Sequence, residues 1–126
     1  MSELTCLELG VVLWVVHVVI LSAAGGAELP AGYLFNSRDK PAAASGLMFG
    51  RTTRALANYA ENLTPFVALA LALIVTQRTG GLGATIWILA RIVYIPLYLF
   101  DIIYARTAVW AISVIGLLMM LARLAL

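Results

Sequence analysis

The sequence predicts an all-α integral membrane protein, a bundle of four transmembrane helices, and three observations lead there. Hydrophobic residues make up 63% of the 126 residues and charged residues only 11%, against about 25% charged in a soluble domain. The apolar residues fall into four blocks, each near the ~20 residues that a helix needs to cross a bilayer. The polar residues that interrupt those blocks are not scattered but fall on single faces of two of the helices. Four spans use most of the chain, so no separate soluble domain fits. Eight basic and six acidic residues give a net charge of +2. No run of Lys or Arg is present to track a phosphate backbone, which excludes nucleic acid as a partner.

The first span covers residues 7–24. Small residues after it, SAAGGA, imitate a signal-peptide cleavage site, but the preceding stretch carries Glu3 and Glu8 and no basic residue, so a retained helix is expected. His17 sits in its middle, where a lone histidine ordinarily bonds a neighbouring helix. Cys6 is the only cysteine; it makes neither an intrachain disulfide nor a metal cluster, and its ordinary role is that of a small hydrophobe near a helix start. No metal site is expected. A polar loop follows, with prolines, glycines and the cluster Asn36, Ser37, Arg38, Asp39 and Lys40.

The second span covers 52–76 and contains Pro65, which removes one backbone bond and predicts a kink. Turn glycines at 80, 81 and 83 lead to the third span, 84–103, interrupted in its turn by Pro96. A short turn near Tyr104 to Thr107 is expected before the fourth span, 108–125, which has no interior charge until Arg123 and reads as a packing helix. Basic residues set the orientation. Arg38, Lys40, Arg51, Arg54 and Arg106 lie on one side, and Arg78, Arg123 and the acidic start on the other. The positive-inside rule then places the Arg-rich loop, residues 25–51, in the cytoplasm and both termini outside.

The two kinked spans carry the candidate chemistry. On a helix advancing ~100° per residue, Arg51, Arg54, Asn58, Glu61 and Pro65 fall in one stripe, and Trp87, Arg91, Tyr94, Tyr98 and Asp101 in another. Charge at membrane depth costs a few kcal/mol per residue, so such stripes face protein or a wet cavity. Arginine forks suit carboxylates and a glutamate suits an ammonium group, which points to a small zwitterionic ligand. A guanidinium beside a bound thiol also favours the thiolate. The same residues have a second reading as ties between helices, since buried Arg and Glu often serve that purpose, but two kinked stripes opening to one side favour a site.

The pattern Arg51-x-x-Arg54-Ala55-x-x-Asn58-x-x-Glu61-x-x-x-Pro65-Phe66, followed by Ala90-Arg91-x-x-Tyr94-x-x-x-Tyr98 and then Arg106, resembles the MAPEG family, membrane-associated proteins in eicosanoid and glutathione metabolism. The resemblance covers almost the whole chain, and the short loops look like those of bacterial members, which implies a bacterial inner membrane. It implies a homotrimer of four-helix protomers in membrane lipid, with glutathione as co-substrate between neighbouring subunits and a lipophilic small-molecule substrate entering from the bilayer. Carried over by position, Arg54, Asn58, Glu61, Tyr94 and Tyr98 would hold glutathione, Arg106 would stabilise its thiolate, and Thr107 would stand where one branch has a serine that donates to the thiol. The basic residue that the family places at the end of its first span has no counterpart in SAAGGAE, and Arg38 or Lys40 would substitute for it. Trp110 stands where a tyrosine is found in the prostaglandin branch.

On this reading the protein is a membrane-embedded glutathione transferase or peroxidase acting on a lipophilic electrophile. One rival is a scaffold of the same fold that binds a lipid or a partner without catalysis. Another is a small four-span multidrug exporter; those need one carboxylate in the membrane, carried in the first span, whereas here the first span offers only His17 and the glutamate sits in the second.

Overall fold

The computed structural model describes residues 1–28 and 46–126. Among the described residues there are four helices, α1 (Glu3–Glu28), α2 (Leu47–Val75), α3 (Gly83–Leu99) and α4 (Ile103–Ala125). The loop cluster around Arg38 and Lys40 lies outside the described residues. Three of the helices are long and apolar enough to cross a membrane. At 1.5 Å per residue α1, α2 and α4 measure roughly 39, 43 and 35 Å, more than the ~30 Å hydrocarbon core; α3, at roughly 26 Å, is at the short end of what spans it. The chain is an integral membrane protein.

Local chemistry explains where the helices begin and end. The Ser2 hydroxyl accepts from the Thr5 amide at 3.1 Å and so caps α1, with Glu3 favourably placed in the positive first turn. α1 continues through Gly25 and Gly26 to Glu28, four residues past the predicted span. α2 and α3 close with the same device, in which a residue of left-handed backbone lets two amides turn back onto the last carbonyls. At the end of α2, Gln77 (φ 55) plays this part, with Gln77 N bonded to Ile74 O and Arg78 N to Leu73 O. At the end of α3 it is Asp101 (φ 57), with Asp101 N on Tyr98 O and Ile102 N on Leu97 O.

That second stop shortens the third helix. It ends at Leu99 rather than at 103, and Tyr104 to Thr107, expected as a turn, lie in the first turns of α4. Aspartate is one of the few residues besides glycine that visits the left-handed region readily, which suits position 101 to this stop. Both α2 and α3 remain helical through Pro65 and Pro96.

The helices alternate in direction, α1 against α2 and α3 against α4, with α2 touching both members of the second pair. Polar ties close each end. At one, Glu3 Oε1 accepts from the Gly80 amide at 2.7 Å, and Arg78 Nη1 donates to Leu124 O at 2.6 Å. At the other, Arg51 Nη1 donates to Leu99 O at 2.8 Å.

Between the ends runs an aromatic core. Phe66 and Trp87 stack with centroids 3.9 Å apart and planes 6° from parallel. Tyr59 lies 5.9 Å from Trp87 and donates its hydroxyl to Gly10 O on α1; His17 stacks on Tyr59 at 4.5 Å. His17 Nδ1 donates to Leu13 O, 2.8 Å away on its own helix. Its expected bond to a neighbouring helix is thus replaced by ring stacking, because the carbonyl one turn back is already within reach. Cys6 is buried, as a small hydrophobe beside Thr85. α3 and α4 approach backbone to backbone at Gly83 and Gly116: a Cβ built on either would stand 2.7 Å from the other's carbonyl oxygen. The outward faces, such as Val12, Val15 and Val19 on α1 and Ile112, Ile115 and Leu118 on α4, are exposed and apolar, as surfaces in contact with lipid should be.

Candidate functional site

α2 presents two adjacent faces with different tasks. Thr52, Ala55, Tyr59, Phe66, Ala70 and Leu73 are its buried residues, and their spacing in threes, fours and a seven is that of a packing seam. The polar stripe runs beside this seam, about 100° around the helix. Arg54 and Glu61 are consequently exposed in the single chain, Arg51 and Asn58 half-buried. The expectation that the whole stripe faces inward therefore holds for part of it only.

Asn58 reaches across to α3. Its Oδ1 accepts from Arg91 Nη2 at 2.8 Å. Arg91 is completely buried, with its guanidinium carbon 4.4 Å from the centre of the Tyr94 ring and 5.5 Å from that of Tyr59. Cation–π contact compensates part of the lost hydration. Its Nε and Nη1 nevertheless have no hydrogen-bond partner among the described residues, which is unusual for a buried charge.

A second cluster lies at the mouth. Arg106 sits with its guanidinium 4.9 Å from the centre of the Tyr98 ring and its Nη1 3.4 Å from Asp101 Oδ1. Arg51 Nη2 approaches the other oxygen of Asp101 at 3.8 Å. Tyr98 accepts a bond from Arg54 Nε at 3.2 Å, and its ring lies 5.6 Å from that of Tyr94. Three arginines from α2 and α4 are thus arranged around one phenol and one carboxylate. The two clusters meet at a pocket of about 210 Å³ lined by Asn58, Tyr94, Arg106, Thr107 and Trp110. A neutral amide, a phenol, a guanidinium and a hydroxyl converge there, a set able to bind a carboxylate or thiolate and the amides beside it.

The MAPEG family profile matches residues 4–126, essentially the whole chain. The chain belongs to the MAPEG family. No curated protein and no solved structure matches it. This MAPEG protein is thus a membrane protein of a family that acts in glutathione and eicosanoid metabolism, which sets the exporter reading aside.

In this MAPEG protein the candidate residues fall into three groups. Asn58, Tyr94, Arg106 and Thr107 share the pocket, with the Thr107 hydroxyl also donating to Ile103 O at 3.1 Å in its own helix. Arg54 and Tyr98 are bonded to each other and reach the pocket through Arg106, which covers the Tyr98 ring. Glu61 stands apart on the exposed face of α2, without a hydrogen-bond or ion-pair partner among the described residues. Arg38 lies outside the described residues. Trp110, read in the sequence as a departure from one branch, lines the pocket. Asp101, one of five in a stripe, turns out to be the carboxylate between Arg51 and Arg106. Tyr59 escaped the polar reading, although its place in the seam of threes and fours on α2 was a signal for it.

Proposed function

We propose that this MAPEG protein is a glutathione-dependent transferase or peroxidase that acts on a lipophilic electrophile. The observation that carries the reading is the convergence of Arg106 and Thr107 with Asn58 and Tyr94 on one pocket. Glutathione has two carboxylates, an ammonium group, two amides and a thiol, and the residues present match that inventory. Arg54 offers a fork for a carboxylate, and the unpartnered Glu61 offers a carboxylate for the ammonium group. Asn58, Tyr94 and Tyr98 supply amide and phenol groups for the peptide portions.

When bound, glutathione supplies the sulfur nucleophile. The chain's own part is positioning and electrostatics: Arg106 presents positive charge and N–H donors where a thiolate would sit, and Thr107 a hydroxyl. Asp101 and the Tyr98 ring hold the guanidinium from two sides, which limits the orientations it has to lose on binding. Ligand pockets for molecules of this size ordinarily measure about 300 Å³ or more, so the 210 Å³ pocket of one chain is one wall of a larger site. Exposure of Arg54 and Glu61 on the same side fits completion by a neighbouring copy, and a homotrimer with glutathione between subunits accounts for it. The positive-inside rule applied to the mouth cluster puts that opening in the cytoplasm; the electrophile would arrive from the bilayer.

A specific observation favours the second reading, a scaffold of the same fold without catalysis. Asn58 is engaged by Arg91 and Arg106 by Asp101, so the polar groups are in part satisfied within the chain. Conjugation of a hydrophobic chlorinated aromatic by detergent-purified protein decides between them. Arg106→Ala is expected to lower the rate by two orders of magnitude or so, the usual weight of one well-placed charge in such a site. Equal rates for wild type and variant remove the catalytic claim. In titration calorimetry, glutathione should release heat with wild type and much less with Glu61→Gln; a silent titration with wild type selects the scaffold.

A further inference from the structure

A hollow among the described residues lies at the opposite end from the mouth cluster. It measures about 660 Å³ and is lined by Gln77, Arg78 and Thr79 of the α2–α3 turn and by Met119, Ala122 and Arg123 of α4, among others. The spacing of its α4 residues, 119, 122 and 123, makes one helix face. Polar and charged groups thus come from the turn and from Arg123, and apolar ones from the α4 face below.

Its charges are unmatched. Arg78 donates once, through Nη1 to Leu124 O, which leaves four of the five guanidinium N–H groups without a partner among the described residues. Arg123 has neither a hydrogen-bond nor an ion-pair partner among them; it lies over the turn, its Nε and Nη2 within 3.5 Å of where a Cβ on Gly81 would stand. Glu3, an acidic side chain at this end, is engaged by the Gly80 amide at 2.7 Å and faces the Thr79 hydroxyl at 3.4 Å, and Leu126, just past α4, also lines the hollow without an ion-pair partner among the described residues. Arg78 sits just beyond the end of α2 at Val75, and Arg123 within the last turn of α4. In a bilayer that is the depth of the lipid phosphates.

We propose that this hollow binds the phosphate headgroup of an anionic phospholipid. Arg78 and Arg123 hold the phosphate, Gln77 faces the polar headgroup, and an acyl chain descends along the Met119 side of α4. The inference is independent of the glutathione site, since it uses other residues at the other end of the bundle. Two features separate it from a general affinity for negative surfaces. The two guanidiniums come from different elements and converge on one concavity, and an apolar wall adjoins them that a free phosphate would leave empty.

The test is native mass spectrometry of the full chain, purified in mild detergent and exchanged with equimolar phosphatidylglycerol and phosphatidylcholine. Each arginine near a membrane surface favours an anionic lipid by about 1 kcal/mol, so with Arg78 and Arg123 together wild type should retain phosphatidylglycerol over phosphatidylcholine by about thirtyfold. An Arg78→Gln, Arg123→Gln double variant should fall close to parity, while Arg123→Lys, which keeps the charge, should retain most of the preference. Circular dichroism shows whether each variant remains helical, and the wild-type preference stands as a test without them. Equal retention of the two lipids by wild type overturns the proposal, as does an unchanged preference in a folded double variant. Displacement of phosphatidylglycerol by millimolar inorganic phosphate would make this a site for the free ion and overturn the lipid assignment.

Discussion

Arg91 illustrates what a buried charge contributes and what it costs. Asn58 gives it one hydrogen bond and Tyr59 and Tyr94 give it two aromatic faces, yet two of its nitrogens lack partners among the described residues. A buried ion so incompletely compensated adds little to stability, and replacing it by an apolar side chain of similar length is commonly neutral or favourable. Removing its partner is different, because the charge then remains buried with nothing to accept from it. Asn58→Ala should therefore destabilise the protein by about 2–3 kcal/mol, whereas Arg91→Met should change stability by less than about 1 kcal/mol. Thermal unfolding followed by circular dichroism in detergent measures both. A loss for Arg91→Met as large as that for Asn58→Ala would show that Arg91 is chiefly an interhelical tie. Stability unaffected by Arg91→Met directs attention to the pocket that Asn58 and Tyr94 share, where the cation orients both.

Among the elements, α3 and α4 owe their closeness to two glycines. A Cβ on Gly116 would lie 2.7 Å from Gly83 O and 3.0 Å from Trp87 N, backbone atoms that no rotamer change can move aside. Such small residues let helices in membranes approach closely enough for dispersion to hold them. Gly116→Ala should then cost about 1–3 kcal/mol through overpacking, seen as a lower unfolding temperature. Gly26→Ala on α1 is the control, since a Cβ there meets nothing within 4 Å; it should be neutral or stabilising by about 0.5–1 kcal/mol, as the removal of a helical glycine ordinarily is. Equal behaviour of the two variants refutes a close crossing. The aromatic stack of Phe66 on Trp87 belongs to the same joint, because Trp87 follows Gly83 by one turn and faces α2.

For the whole molecule, the question is what covers the exposed face of α2. Arg54, Glu61 and Pro65 are exposed there, and charged groups at membrane depth do not face lipid without a cost of several kcal/mol. In the proposed trimer a neighbouring copy would cover this face and enlarge the pocket. Protein purified in mild detergent should therefore show a mass close to three times the 13.5 kDa chain by native mass spectrometry or light scattering. A uniform monomer with full glutathione conjugation would contradict both the assembly and the shared site. At the same scale, charge is divided between the ends of the bundle. Arg51, Asp101 and Arg106 form one cluster at the mouth, while Arg78 and Arg123 stand nearly unneutralised at the other end.

The sequence by itself determined the membrane class, the number of helices and most of the candidate site. The first two follow from composition and hydrophobic blocks and the polar stripes from the 3.6-residue period, while the site roles of Arg106 and Thr107 rest on the family resemblance. Arg54, Asn58, Tyr94 and Tyr98 were legible as polar positions on otherwise apolar helices, whereas Arg106, expected in a turn, was marked by the family resemblance. Only the tertiary structure decided which of them meet. It divided the α2 stripe into residues that touch α3 and residues that face outward, because the packing seam lies about 100° from the stripe and turns half of it away. It ended α3 at Leu99, where the left-handed Asp101 brings its carboxylate between Arg51 and Arg106, and it closed Gly83 onto Gly116. Each of these depends on where a second helix stands, and periodicity along one helix carries no record of the distance to its neighbour.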